Sequence, residues 1–278
     1  MPISVGPLTV RSGRVKHARR LATRSFRATE HEFLAEGPQA VREALAEPDV
    51  VVEVFASVDA SERHPELAEQ AADAGVDWHV VTDDVVAEVA DSVTPQGLVA
   101  RCRSIVRSLA VLPADAGFVV VCADVRDPGN AGAVIRCADA VGADAVLLAG
   151  DSVDPLNPKA VRSSAGSLFH LPIVVHRDVA EAVGELRSRG LQIFAADGSG
   201  DLSIFDTRVD PVPPTAWIFG NEAWGLPEDV RSLADLVVAV PIFGRAESLN
   251  LATAAAVCLY ATAWARQTSE SPDHHVLD

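Results

Sequence analysis

Residues 118–125 are almost uniformly apolar. A strand covered on one side alternates apolar with polar residues; a run apolar on both faces belongs inside a parallel sheet sandwiched by helices. The pattern that follows fits such a sheet. Helical spacing over 131–141 leads to a strand at 145–149, a helix at 159–168, a strand at 172–175 and a helix at 179–189 closed by Gly190. Strands at 193–197 and 217–220 come next. A helix then opens on Pro227 with Glu228 and Asp229 in its first turn, before a strand at 236–242 and a long Ala-rich helix over 249–266. The first half alternates similarly, with strands at 33–36, 51–57, 78–82 and 97–103 and helices at 38–45, 65–74 and 84–91. Strands separated by helices define an α/β protein. The division read from this is a basic N-terminal arm at 1–30, a small α/β domain at 31–107, a linker at 108–117, a larger α/β domain at 118–268 and a disordered tail at 269–278.

The 278 residues are ample for two cores, and 49% hydrophobic with 22% charged residues is ordinary globular composition. The longest apolar runs, 118–123 and 254–263, fall short of a bilayer span, and arginines stand where an export signal needs apolar residues. Cys102, Cys122, Cys137 and Cys258 are isolated and read as free thiols of a reducing cytoplasm. The eight histidines show no metal-ligand spacing, so no metal is expected. Net charge is −16, which excludes a protein that coats nucleic acid over its whole surface. Residues 1–30 run against that balance, with seven basic residues facing the single acid Glu30. Such an arm is either solvated or grips phosphates locally.

Asp197-Gly198-Ser199-Gly200-Asp201-Leu202-Ser203 follows a strand and begins like a dinucleotide fingerprint, but Ser203 replaces the third glycine and no helix follows. It reads as a surface turn. Three other segments lie at expected strand C-termini, where open α/β sheets place ligands: 127–136, 219–227 and 240–250. Each alone has a structural explanation, since Asn130 and Ser248 suit helix caps, Glu222 a helix dipole and Arg136 a solvated helix face. Three at one sheet edge are harder to dismiss.

Asn130, Gly132 and Arg136 in an N-x-G-x-x-x-R pattern, Gly220 to Leu226 as G-N-E-x-x-G-L, and Pro241 to Asn250 as P-x-x-G-x-x-x-S-L-N resemble the three motifs of the TrmH-like (SpoU) branch of the SPOUT superfamily. These are 2′-O-ribose RNA methyltransferases that use S-adenosylmethionine. Residues 33–37 and 94–100 resemble the small ribosomal-protein-like, RNA-binding domain these enzymes carry. The resemblance implies a C-terminal sheet tied in a deep trefoil knot, an exception to un-knotted topology, and a homodimer with its active site near the interface. By motif position it implies cofactor contacts around Ala196, Gly220, Asn221, Val240, Ile242 and Leu249, and catalytic roles for Arg136, Asn130, Glu222, Ser248 and Asn250.

Guanidinium is a poor free base, its pKa lying above about 12. Arg136 is therefore expected to hold the target phosphate and to stabilise developing alkoxide charge, with Asn130 orienting it or the ribose. Arg19, Arg20, Arg24 and Arg27, just ahead of the RNA-binding domain, are expected to contact RNA phosphates. The substrate implied is 23S rRNA, in a cytoplasmic protein with no membrane partner; some members of the group confer resistance to ribosome-targeting antibiotics. A tRNA 2′-O-methyltransferase, a non-catalytic RNA-binding protein of this fold and, remotely, a small-molecule methyltransferase are the alternatives.

Overall fold

A computed structural model describes residues 6–221 and 223–270. The chain opens with α1 (Gly13–Arg20), α2 (Arg24–Glu30), β1 (Glu32–Glu36), α3 (Pro38–Ala46), β2 (Val51–Ser57), α4 (Val58–Arg63), α5 (Pro65–Asp73), β3 (Asp77–Val81), α6 (Asp83–Val89) and β4 (Leu98–Arg103). There follow β5 (Val106–Arg107), β6 (Phe118–Ala123), α7 (Pro128–Ala140), β7 (Ala145–Ala149), α8 (Pro158–Ser164), β8 (Ile173–His176) and α9 (Val179–Ser188). The last elements are β9 (Gln192–Ala196), β10 (Leu202–Ser203), β11 (Thr215–Phe219), α10 (Glu228–Arg231), β12 (Leu236–Ala239) and α11 (Leu251–Glu270). Two compact units result: residues 1–105 with 154–170, and residues 106–153 with 171–278.

The first unit is built on a four-stranded sheet in the order β1-β4-β2-β3, antiparallel except for the β2–β3 pair. Its core joins Leu34, Phe55, Val81, Val85, Val86 and Val99 to Val15, Ala18 and Leu21 of the N-terminal segment. The stretch read as a basic arm is therefore folded from residue 13 onward. Its apolar residues are at helical spacing, and burying them outweighs the charge around them. Its charges are also used internally. Glu53, only 1% exposed, accepts from Arg101 Nε at 2.6 Å and Arg14 Nη1 at 3.0 Å. Burial pushes the Glu32 carboxyl up, but bonds from Arg101 and His17 outweigh this and hold it below its usual range.

Residues 154–170, assigned by the sequence to the second domain, belong to this first unit. Arg162 Nη1 reaches Glu36 at 2.9 Å and its Nη2 reaches Asp91 at 3.0 Å, while Phe169 stacks on Phe33 with ring centroids 6.0 Å apart.

The second unit holds an eight-stranded parallel sheet in the order β10-β12-β9-β11-β6-β7-β8-β5. β6 is buried at all six positions, as a central parallel strand requires. From β6 the chain builds outward through β7 and β8, then crosses to the other side of β6 to lay down β9 and β11. All C-terminal strand ends share one edge, and the reversal of direction opens a crevice there. Helix α11 is fixed by Trp217, whose Nε1 donates to Thr262 Oγ1 at 2.9 Å and whose ring packs edge-on against Phe194. Residues 269 and 270, read as the start of the tail, extend α11, and 271–278 lie outside the described residues. The four cysteines are free; burial pushes the Cys258 thiol up to about 12, so it stays protonated.

Candidate active site

The loop leaving β6 sets the first group. Asp127 caps α7 by accepting from Asn130 N at 2.9 Å, with Pro128 at the first helical position. Asn130 Oδ1 in turn accepts from Asn250 Nδ2 at 3.0 Å. Asn250 is itself the cap of α11, its Oδ1 accepting from Ala252 N at 2.9 Å and Thr253 N at 3.4 Å. One amide pair thus ties the starts of two helices together, 120 residues apart in sequence.

The loop leaving β11 is a tight knuckle. Asn221 and Gly225 exchange backbone hydrogen bonds at 3.0 and 2.9 Å, and Asn221 Oδ1 accepts from Ala223 N at 2.8 Å. Asn221 Nδ2 donates to Asp124 O at 2.8 Å, joining this loop to the one after β6. A Cβ on Gly220 would stand 2.5 Å from the Gly225 carbonyl oxygen, and Gly225 has φ +70°; these two glycines let the chain double back.

The loop after β11, with those after β9 and β12 and the start of α11, surrounds a cavity of about 530 Å³; the loop after β6 braces these without lining it, and Asn130 and Asn250 stand outside the lining. Ala196, Gly220, Asn221, Val240, Ile242, Ser248 and Leu249, all singled out from the sequence, line it together. The apolar wall adds Phe219, Val238 and Leu251. Its charged side chains, Asp197 and Glu247, are acidic, and no Arg, Lys or His lines it among the described residues. Asp197 and Gly198 correct the reading of 197–203 as a mere surface turn. The turn exists, with Gly200 N bonded to Asp197 O at 3.1 Å, but its carboxylate also accepts from Leu226 N at 3.2 Å and braces the knuckle. Burial would raise the Asp197 pKa; bonds from the Ser199 hydroxyl and N–H and from Leu226 N–H, with Arg231 nearby, lower it below the usual carboxylate range. Its position at the end of β9, on the edge that carries the motifs, was the available signal.

Arg136 is not brought to this cavity within one chain. It is exposed on α7, where among the described residues it makes no hydrogen bond or ion pair. Glu222 lies outside the described residues. Of the arginines expected to contact RNA, Arg24 is exposed, Arg20 lies over the Phe26 ring at 3.9 Å, and Arg19 is exposed but paired with Glu88. Arg27 requires correction. It is 4% exposed, and its guanidinium bonds Asp154 at 2.7 and 2.9 Å and the carbonyls of Leu21 and Ala22 at 2.8 and 2.9 Å. A side chain so enclosed holds its own unit together and has nothing left to offer a phosphate.

Comparison with known proteins gives the same picture from outside. Residues 117–260 match the SpoU rRNA Methylase family, and residues 13–100 match the MRM3-like substrate binding domain. The chain is 34% identical over 255 residues to the 23S rRNA (guanosine(2553)-2′-O)-methyltransferase RlmP of Bacillus subtilis, covering 91% of this chain and 96% of that protein. Among solved structures, the SpoU methyltransferase AviRb of Streptomyces viridochromogenes in complex with AdoMet superposes with a TM-score of 0.79 at 32% identity, over 92% of this chain and 100% of that one. An AdoMet-bound rRNA methyltransferase from Sinorhizobium meliloti gives 0.78 at 29% identity, over 91% and 95%.

Proposed function

The chain belongs to the SpoU rRNA methylase family, and from that premise we propose that it transfers a methyl group from S-adenosylmethionine to a ribose 2′-oxygen of large-subunit rRNA. The observation that carries this reading is that two of the three motif loops line one cavity at the sheet edge, while the third, after β6, is tied to them by the Asn221–Asp124 and Asn130–Asn250 hydrogen bonds. The cavity suits that cofactor. Its volume is within the range of small-molecule sites, its apolar wall suits a purine, and Asp197 and Glu247 without a cationic side chain suit a ligand bearing positive charge. Gly220, where a side chain would strike Gly225, lets the knuckle fold back tightly along the cavity wall. The family fold implies that the C-terminal part of this sheet is threaded as a trefoil knot.

S-adenosylmethionine, when bound, supplies a methyl group already activated on a sulfonium sulfur. Alignment and charge stabilisation fall to the protein. Asn130 and Asn250 hold the rim in a fixed shape and present amide groups to the ribose. Arg136 stays cationic, grips the target phosphate and stabilises negative charge growing on the 2′-oxygen, whose proton leaves to a phosphate oxygen or water. Ser248 lines the cavity, and a role for Glu222 rests on motif position alone.

Because Arg136 lies outside its own chain's cavity, the working enzyme is a homodimer in which a second copy brings Arg136 to it. The exposed Tyr260 and Trp264 of α11 flank a cleft of about 510 Å³ that a second copy would fill. Among the described residues no helix is long and apolar enough to cross a membrane. Relatives that act on rRNA support a cytoplasmic reaction, and we take Arg20 and Arg24 as the phosphate contacts of the basic segment.

Transfer from labelled S-adenosylmethionine to deproteinised large-subunit rRNA and, separately, to total tRNA tests the reading. Label entering the rRNA alone is expected. Label entering tRNA alone would replace the substrate, and cofactor binding without transfer to either would leave an RNA-binding protein.

A further inference from the structure

Trp224 is the one large aromatic of the β11 knuckle, and it is 56% exposed. Its neighbours on either side, Ala223 and Gly225, both line the cavity, so Trp224 is carried on the loop that borders it. From the adjoining loop after β6, Arg126 lies over the indole ring at 5.3 Å from its centroid, with Asp151 3.7 Å from the guanidinium. The two loops are joined by the Asn221–Asp124 hydrogen bond, so the indole and the guanidinium are carried on connected backbone. At 56% exposure Trp224 is not part of the core, and its ring is met by the Arg126 guanidinium.

We infer that Trp224 is a stacking platform for a base of the RNA substrate, with Arg126 holding a phosphate beside it. The proposal rests on the rRNA methyltransferase reading and deepens it by naming how the substrate is seated. An aromatic face beside a cation is the combination that recognises single-stranded RNA: the ring takes the base and the guanidinium takes the backbone. A nucleotide whose ribose is presented to this cavity must have its base lifted from its neighbours, and the rim is where that base comes to rest. The surroundings separate this surface from a protein-docking one. Trp224 has the charged Arg126 over its ring, itself beside Asp151, whereas Tyr260 and Trp264 flank one cleft on α11. Trp224 acts by positioning and takes no part in methyl transfer itself.

The test compares Trp224→Ala and Trp224→Phe with the wild type, using deproteinised large-subunit rRNA and labelled S-adenosylmethionine. Trp224→Ala is expected to lower kcat/KM for rRNA about ten- to a hundredfold, mainly through KM, with cofactor affinity unchanged. Trp224→Phe, which keeps a stacking face, should recover to within about threefold of wild type. In parallel, rRNA should quench indole fluorescence in the wild type and do so less in Trp224→Phe. Unchanged kcat/KM in Trp224→Ala, a loss that phenylalanine does not rescue, or a change in sedimenting mass marking a protein interface would each overturn the proposal. If the wild type does not methylate rRNA, the function reading fails separately, and the quenching experiment still decides whether Trp224 meets RNA: quenching lost in Trp224→Phe supports the platform, and no difference refutes it.

Discussion

The basic segment of the first unit and the motif loops of the second use charge differently, although arginines elsewhere in the second unit, Arg187 and Arg208 among them, also pair with carboxylates. In the first, arginines are turned inward: Arg27, Arg101 and Arg162 each end on a carboxylate within the same unit, and Arg27 is almost wholly enclosed. In the second, the motif side chains spend their hydrogen bonds fixing backbone loops around a cavity, while Arg136 stands exposed without an ion-pair partner among the described residues. The density of positive charge along a sequence therefore does not mark where a phosphate is held. A run of arginines can be structural, and a single arginine on a helix can be the one available.

The contrast can be broken most severely at Arg27. Arg27→Ala leaves Asp154 and two carbonyls without their donor and should cost about 3–5 kcal/mol of stability. Urea unfolding would show it, and a loss below about 1 kcal/mol would mean the pair is incidental. Arg136→Ala is the mirror case. It should leave unfolding and cofactor affinity near wild type but reduce kcat about a hundred- to a thousandfold, as for loss of one oxyanion-stabilising donor. Titration with S-adenosylhomocysteine beside a turnover assay separates the two effects.

A smaller effect is expected at Asn250. Asn250→Ala removes the α11 cap and the bond to Asn130, and should cost about 1–2 kcal/mol by urea unfolding. Smaller again, Arg20→Ala with Arg24→Ala should weaken rRNA binding only a few-fold. The dependence of log affinity on log salt should become shallower by about one for each phosphate no longer neutralised. An unchanged salt slope would remove both from the RNA interface. The smallest effect is with pH. The Asp197 pKa is lowered in the folded protein, so its contribution is present above the unfolded value of about 3.9 and disappears only as pH falls through the lowered folded value. Cofactor affinity should thus be flat from about pH 5 to 8 as far as Asp197 is concerned, and Asp197→Asn, which carries no charge at any pH, should lower affinity modestly across that range and remove the acid-side decline.

Much of this was legible in the sequence for physical reasons. Strands buried on both faces have little choice of residue, which is why 51–57 and 145–149 coincide with β2 and β7. The motif loops carry short polar residues and glycines at spacings that helix caps and tight knuckles demand, so those after β11 and β12 meet at one cavity and the one after β6 is bonded to them. What was not legible depends on pairs distant in sequence. Arg27 meets Asp154 across 127 positions, and nothing local announces that 154–170 fold with the first unit. The charge of residues 11–27 hid the helical spacing of Val15, Ala18 and Leu21. Asp197 was hidden by turn composition, since a turn on the surface and a turn on the rim of a cavity use the same residues.

The chemical position of the methyl group tests the assigned reaction most directly. A 2′-O-methyl ribose cannot attack its own phosphodiester, so alkaline hydrolysis of labelled large-subunit rRNA should release the label in an alkali-resistant dinucleotide, with at least about a hundredfold less from Arg136→Ala over the same time. Label recovered in mononucleotides, or recovered equally with Arg136→Ala, would contradict it.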